Sequence, residues 1–369
     1  MKVALLANLK QNAPIWPGMS PTHWDHLASW ETIQAITIAL EKAGHQVIFL
    51  EGDETLYNNL RAIKPDICFN LCEGHFGNSP AAQVPAILEM LRIPYSGSHL
   101  IPLGLDKPTA TRILSYHGLP TPPFQLFEHV DEALSPNLRF PLRIQPCCRE
   151  AGRDQHAPFV VSDPTQLQHQ LQAVFAQSKQ AAFVEQYIEG KEIIVGIVGN
   201  LVAPAARRIP DDEQRHAAFQ GLHIFPLLEA GGPTESGEKV NSVQTDLTYR
   251  IQFRCPAPLE PEQTQNLKWL AAAAFRVLGG MDVIQVKIRL DVHPGNKPYI
   301  VQVDPLPRLR PNYSELCLVA AADGWRYETL ANRILDEAIK RYGLNPEMRR
   351  HNAGVSRHTD EKSPSLELV

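Results

Sequence analysis

The sequence predicts an α/β unit with a parallel sheet, followed by α+β units. Three observations carry that reading. Over residues 1–105, short apolar runs alternate with helical stripes. Later strands come in adjacent pairs with turn residues between them, as over 284–290 and 299–303. The 31 prolines among 369 residues favour many loops and edge turns over long helices.

Residues 1–7 are a short apolar run, the mark of a strand buried on both faces. A polar loop rich in Pro and Trp follows over 11–30. Ile33, Ile36, Leu40 and Ala43 then form a helical stripe, with Gly44 where a C-cap is expected. Further strands are expected over 47–50 and 66–71, and a helix over 81–91. Strands alternating with helices imply a parallel sheet with right-handed crossovers. No GxGxxG follows the first strand, so nothing supports a dinucleotide site there. Glu73-Gly74-His75 stands at the carboxyl end of the third strand, where open α/β sheets bind ligands. A ligand-contacting loop and a plain polar turn are both open readings. Trp16, Trp24 and Trp30 are either a lid over that edge or anchors for a long surface loop.

Asp106-Lys107-Pro108 opens a helix over 109–117, closed by Gly118. A strand over 140–146 comes next. Ser162-Asp163-Pro164 then starts a helix with Leu167, Leu171, Val174 and Phe175 on one face. With strands over 183–188 and 192–198 these make a small α+β unit. Residues 207–248 are irregular, rich in Gly, Pro and charge, and read as a mobile flap. A helix over 262–278 follows. Gln285, Lys287, Arg289 and Asp291 alternate with apolar residues along the next strand. Tyr299, Val301 and Val303 alternate with Ile300, Gln302 and Asp304 along its partner, and His293-Pro294-Gly295-Asn296 supplies the turn. A last helix is expected over 328–342, and a frayed tail over 346–369.

Apolar residues at 44% and charged residues at 20% exclude a disordered, collagen-like or coiled-coil chain. A net charge of −5 gives no basic field for nucleic acid or an anionic membrane. No apolar stretch nears the ~20 residues of a membrane span. The start lacks the length and cleavage site of a secretory signal, so a soluble cytoplasmic protein with reduced thiols is expected. Cys68 and Cys72, and the adjacent Cys147 and Cys148, lack zinc-site spacing. They read as structural thiols, and no histidine is placed to activate Cys147 or Cys148 as a nucleophile.

An ordered set of segments then resembles the D-alanine–D-alanine ligase branch of the ATP-grasp superfamily. They are Pro65 to Gly74 (PDICFNLCEG), Ile93 to Ser98 (IPYSGS), Leu105-Asp106-Lys107 and Gly118 to Pro122 (GLPTP). Val184 to Glu192 (VEQYIEGKE), Asp282 to Asp291 and Ile300 to Pro307 (IVQVDPLP) complete the set. The resemblance covers residues 1–343. It implies an ATP-grasp fold: a Rossmann-like N-terminal domain over 1–105, a small subdomain over 106–195 and a large one over 196–345. Family enzymes phosphorylate a carboxylate with ATP, after which an amine attacks the acyl phosphate. That chemistry needs cations on the phosphates, two magnesium ions and donors for the oxyanion.

Carried over residue by residue, the resemblance makes Lys107 the first phosphate lysine, Glu185 the strand residue next to adenine and Glu192 the ribose carboxylate. A cation at a helix start would otherwise be out of place, against the positive end of the dipole. Other family positions differ. The strand that should end Lys-Pro ends Gln145-Pro146. The Ser/Gly-rich phosphate loop is Cys147 to Asp154 with one glycine, and Arg149 and Arg153 are candidates to replace its lost charge. The magnesium positions, Asp then Glu and Asn in the family, are Lys287, Gln302 and Asp304. One carboxylate beside an ammonium is a poor cage for magnesium, so a Lys287–Asp304 ion pair is the expected filling. The substrate arginine is Gln285, the oxyanion glycine is Arg308, and the flap lysine falls near Gln244 or Lys239.

Two readings of function follow. One is an active ATP-dependent carboxylate–amine ligase with a rebuilt site. The other is a degenerate homologue that keeps the fold, has impaired or lost ligation and retains some nucleotide binding. The substitutions favour the second. A nucleotide and a small amino acid are the ligands the resemblance implies. Homodimers are usual in the family, and the sequence argues neither way.

Overall fold

A computed structural model describes residues 1–17, 19, 23–77, 79–99, 106–147, 159–178, 181–202, 219–231 and 252–344. Three sheets organise them. The first is parallel, in the order β2 (Gln46–Glu51), β1 (Lys2–Ala7), β3 (Ile67–Leu71). Its central strand is buried on both faces, as the apolar run predicts. Val3, Leu5 and Ala7 pack with α1 (Trp30–Lys42) and with the last helix, α8 (Tyr327–Arg341). Ala4 and Leu6 face α2 (Leu56–Ile63) and α3 (Pro80–Leu91). α1 starts at Ser29, whose hydroxyl accepts from the Thr32 amide, so Trp30 begins the helix rather than ending the loop.

The second sheet is antiparallel, in the order β4 (Phe124–Phe127), β7 (Ala182–Gln186), β5 (Leu142–Pro146), β6 (Phe159–Val161). Leu142, Ile144, Ala182 and Val184 lie under α5 (Pro164–Ser178), against Leu167, Leu171 and Val174. Period-two alternation therefore turns Arg143, Gln145, Phe183 and Glu185 to the opposite face. That face meets the start of α4 (Lys107–Tyr116), which packs through Ala110 and Leu114 into the core of the third sheet.

The third sheet runs β11 (Gln252–Arg254), β10 (Leu228–Gly231), β8 (Gly190–Gly199), β12 (Val283–Asp291), β13 (Pro298–Asp304), with β9 (Leu222–Ile224) paired to β8. On one face Ile193, Val195 and Ile197 meet α6 (Pro261–Val277). On the other lies α7 (Glu315–Ala322), which approaches closely because residue 196 is Gly: a Cβ there would stand 2.7 Å from Leu316 Cδ1.

Several expectations are corrected. The strand over 192–198 belongs to the third sheet, not to the small unit. Part of the expected flap is ordered as β9 and β10, which sequence could not show because short strands depend on a partner. Gln244 and Lys239 lie outside the described residues. β13 carries a bulge: Lys287 pairs with Gln302 but Ile288 pairs with Ile300, leaving Val301 as the extra residue. Ile300 therefore joins the apolar face with Val303, against the simple alternation expected. The bulge keeps Gln302 and Asp304 on the Lys287 face. Among the described residues no helix is long and apolar enough to cross a membrane.

Candidate functional site

Two charged clusters stand on the second and third sheets. The first gathers around Glu185, whose side chain is 2% exposed. Lys107, the first residue of α4, pairs with Glu185 Oε1 and sits 5.0 Å from the Phe183 ring centroid. Arg143 Nη1 lies 3.3 Å from the same oxygen. Asp106 caps α4 by accepting from the Thr109 amide at 3.1 Å, which fixes the direction in which Lys107 leaves the helix. An ammonium at the positive end of a helix is thereby offset by a buried carboxylate. Among the described residues, Glu185 Oε2 and Arg143 Nε are buried without a hydrogen-bond partner.

The second cluster lies on the β12–β13 floor. Gln285 faces Asp304 and Lys287 faces Gln302, so all four share one face. The expected Lys287–Asp304 pair is replaced. Lys287 Nζ is 2.8 Å from Glu315 Oε1 and 3.9 Å from Glu192 Oε1. Gln285 Nε2 donates to Glu315 Oε2 at 3.1 Å, and Asp304 accepts instead from the Leu306 amide at 3.0 Å. Burial pushes the Glu315 carboxyl up, but Lys287, Gln285 and Arg308 outweigh it and hold it below the ordinary carboxylate range. Glu192 is also engaged by Arg289, whose Nη2 is 3.4 Å from Oε2 and whose guanidinium sits 5.4 Å from the Tyr187 ring centroid. Gly190 sets the approach of β8 to β12: its φ is +148°, and a Cβ would stand 1.7 Å from the Leu290 carbonyl oxygen.

Next to this floor is a cavity of about 370 Å³, between the loop after β1 and the loop after β13. Arg308, at the expected oxyanion-glycine position, lines it together with Arg310, Tyr313, Ser29, Lys10 and Glu73. Asn8 ties the carboxyl ends of the strands together, donating to the Gly52 carbonyl and accepting from the Gly74 amide, both at 2.8 Å. Above that edge, Trp24 packs edge-on against His75 with ring centroids 5.2 Å apart, and Trp16 reaches Phe76 at 6.4 Å. Trp30 lies elsewhere, against Phe49 at 5.7 Å.

A family model described as "D-ala D-ala ligase C-terminus" matches residues 238–336. The "Uncharacterized protein y4sG" of Sinorhizobium fredii is 31% identical over 321 residues, spanning 84% of this chain and 87% of that protein. A D-alanine–D-alanine ligase of Pelotomaculum thermopropionicum is 27% identical over 332 residues, spanning 86% of this chain and 93% of that one. The chain belongs to the D-alanine–D-alanine ligase-like ATP-grasp family. A crystal structure of the Bacillus anthracis D-alanine–D-alanine ligase complexed with ATP shares this fold, with a TM-score of 0.68 at 19% identity. That match covers 93% of this chain and 98% of the other.

Within that family frame, the sequence-derived residues fall into two groups. Lys107 and Glu185 come together on the second sheet, while Glu192, Gln285, Lys287, Gln302 and Asp304 gather on the third. Cys147 is half-buried next to the end of β5, its amide donating to Ala181 O at 3.0 Å, while Cys148, Arg149 and Arg153 lie outside the described residues. Sequence reasoning missed Arg143 and Glu315. Arg143 was legible as a same-face neighbour of Gln145. Glu315 offered only an acid at a helix start, with no hint that it would reach Lys287.

Proposed function

We propose that this chain is a degenerate D-alanine–D-alanine ligase homologue that binds a nucleotide without a divalent metal and has lost the family's peptide-bond-forming ligation. The observation that carries the reading is Lys287 in the family metal position, engaged by Glu315 and Glu192. This donor set does not fit magnesium, which wants hard and mostly anionic oxygens. An ammonium occupies the place of one ligand, and Glu315 and Glu192 are already engaged by Lys287, Gln285 and Arg289. Asp304 alone is a weak anchor. Among the described residues no group of three or more His, Cys, Asp or Glu is arranged to hold a metal ion.

Nucleotide binding is supported by the retained residues. Lys107 offers a cation at the start of α4, Glu185 a buried acceptor and Glu192 a second carboxylate on the third sheet. The cavity under Arg308 has room for a ligand the size of a small amino acid. Calorimetric titration of the full chain with ATP, in EDTA and in excess magnesium, tests the reading. Similar affinity in both, with no phosphate release on adding D-alanine, is expected. Magnesium-dependent binding accompanied by turnover with D-alanine would establish instead an active ligase with a rebuilt site.

A further inference from the structure

We propose that Arg143 supplies the second cation of the nucleotide site, in place of the lysine that the family carries at Gln145. The inference rests on the nucleotide reading above and names the residue that makes such binding workable. Arg143 and Gln145 share one face of β5, about 7 Å apart along the strand. The other face, with Leu142 and Ile144, is sealed under α5. Across the ladder Arg143 opposes Glu185 and Gln145 opposes Phe183, the two residues of β7 that Lys107 touches. A cation lost at 145 is thus returned two residues earlier, on the same surface and beside the same lysine.

The details favour a ligand-facing role over a purely internal ion pair. Arg143 meets Glu185 through Nη1 at 3.3 Å, a long contact for a charge-assisted bond, while its Nε is buried and meets no acceptor. Glu185 gives one carboxylate oxygen to both cations, and its other oxygen, equally buried, meets no donor. Buried polar atoms are rarely left this way, and among the described residues a spare donor stands beside a spare acceptor, which a ligand carrying both would complete when the Arg143 side chain, 24% exposed, swings toward it. A nucleotide has anionic phosphate oxygens to accept and amino or hydroxyl groups to donate. A guanidinium is planar, permanently charged and longer than an ammonium side chain, so it reaches phosphate from a position set further back.

The test measures ATP affinity of the full chain in EDTA by calorimetry. The variants are R143M, which keeps the aliphatic stem, R143K and R143M/Q145K. A loss of at least tenfold is expected for R143M, with R143K intermediate. Most of the loss should return in R143M/Q145K, because a lysine at 145 restores the charge but not any packing made by residue 143. Wild-type affinity in R143M, or no recovery in R143M/Q145K, overturns the proposal while leaving the nucleotide reading standing. Failure of the unaltered chain to bind ATP overturns both. Should R143M not fold, R143Q, which removes the charge but keeps a polar side chain, decides: a loss of at least tenfold supports the proposal and wild-type affinity overturns it.

Discussion

Lys287 Nζ lies 2.8 Å from Glu315 Oε1, linking the floor of the third sheet to the first residue of α7. The face on which the resemblance leads one to expect a metal therefore carries its own cation and its own acid. Gln285 and Glu192 complete the arrangement, so the charge of Lys287 is balanced without Asp304.

Lys287→Met leaves Glu315 in a partly desolvated place without its main partner. Removing one member of a fully buried pair costs roughly 3–5 kcal/mol, and with the Glu315 side chain 30% exposed the expected loss is smaller, about 1–2 kcal/mol at pH 7. The pH dependence has a definite sign. Glu315 is held below its ordinary value of 4.5, so its contribution is complete above that pH and fades as pH falls through the lowered value. Urea unfolding curves of wild type and K287M should differ at neutral pH and converge in acid. A constant gap across that range would argue against the pair.

Gln145→Lys alone should not create ligation. On the proposed reading it restores one phosphate cation but leaves an ammonium at 287 and an amide at 302, the positions where the resemblance implies magnesium ligands. Phosphate release with ATP, magnesium and D-alanine should stay at the blank level, and clear turnover in Q145K would show that the β12–β13 face is not the obstacle.

Arg341→Met should destabilise the protein strongly. Asp282 is fully buried, and Arg341 donates to it through Nε at 3.1 Å and Nη2 at 2.7 Å while also reaching the Tyr95 carbonyl at 2.8 Å. Substitution leaves a buried carboxylate without its counter-charge, held among the described residues only by the Gly97 amide at 2.9 Å and Asn200 Nδ2 at 2.8 Å, at a cost of roughly 3 kcal/mol. Chemical denaturation would measure it, and a loss below about 1 kcal/mol would contradict the role of Arg341 in tying α8 to the start of β12 and to the loop after α3.

His75 should make the tryptophan loop sensitive to acid. Burial holds its pKa below the ordinary 6.5. A depressed value means that the stabilising contribution is present above pH 6.5 and is lost as pH falls through the lowered value. Tryptophan emission, reporting Trp24 against His75, should therefore change as pH falls below 6.5 in wild type and change less in His75→Gln. Identical profiles would place the titration elsewhere.

Much of the fold was legible because it rests on local periodicity. The run over 2–7 reads as a doubly buried strand, and Ile33, Ile36 and Leu40 read as one face of α1, each with its match in the core. β4, β6 and the strands within 222–231 escaped because three or four residues carry too little pattern to declare a strand. The shared face of Gln285, Lys287, Gln302 and Asp304 was legible from alternation, even though a bulge at Val301 intervened. The partner of Lys287 was not, since Glu315 is brought to it by α7 packing over Gly196.

By itself, the sequence determined which chemical groups stand at each ordered motif, because residue type and spacing along a strand or helix fix the face on which a side chain appears. Only the tertiary structure decided which charges neutralise one another. Lys287 turned to Glu315 rather than Asp304, and Lys107 and Arg143 converged on Glu185. Coulombic partners are chosen by distances across elements far apart in the chain, and no local pattern encodes those distances.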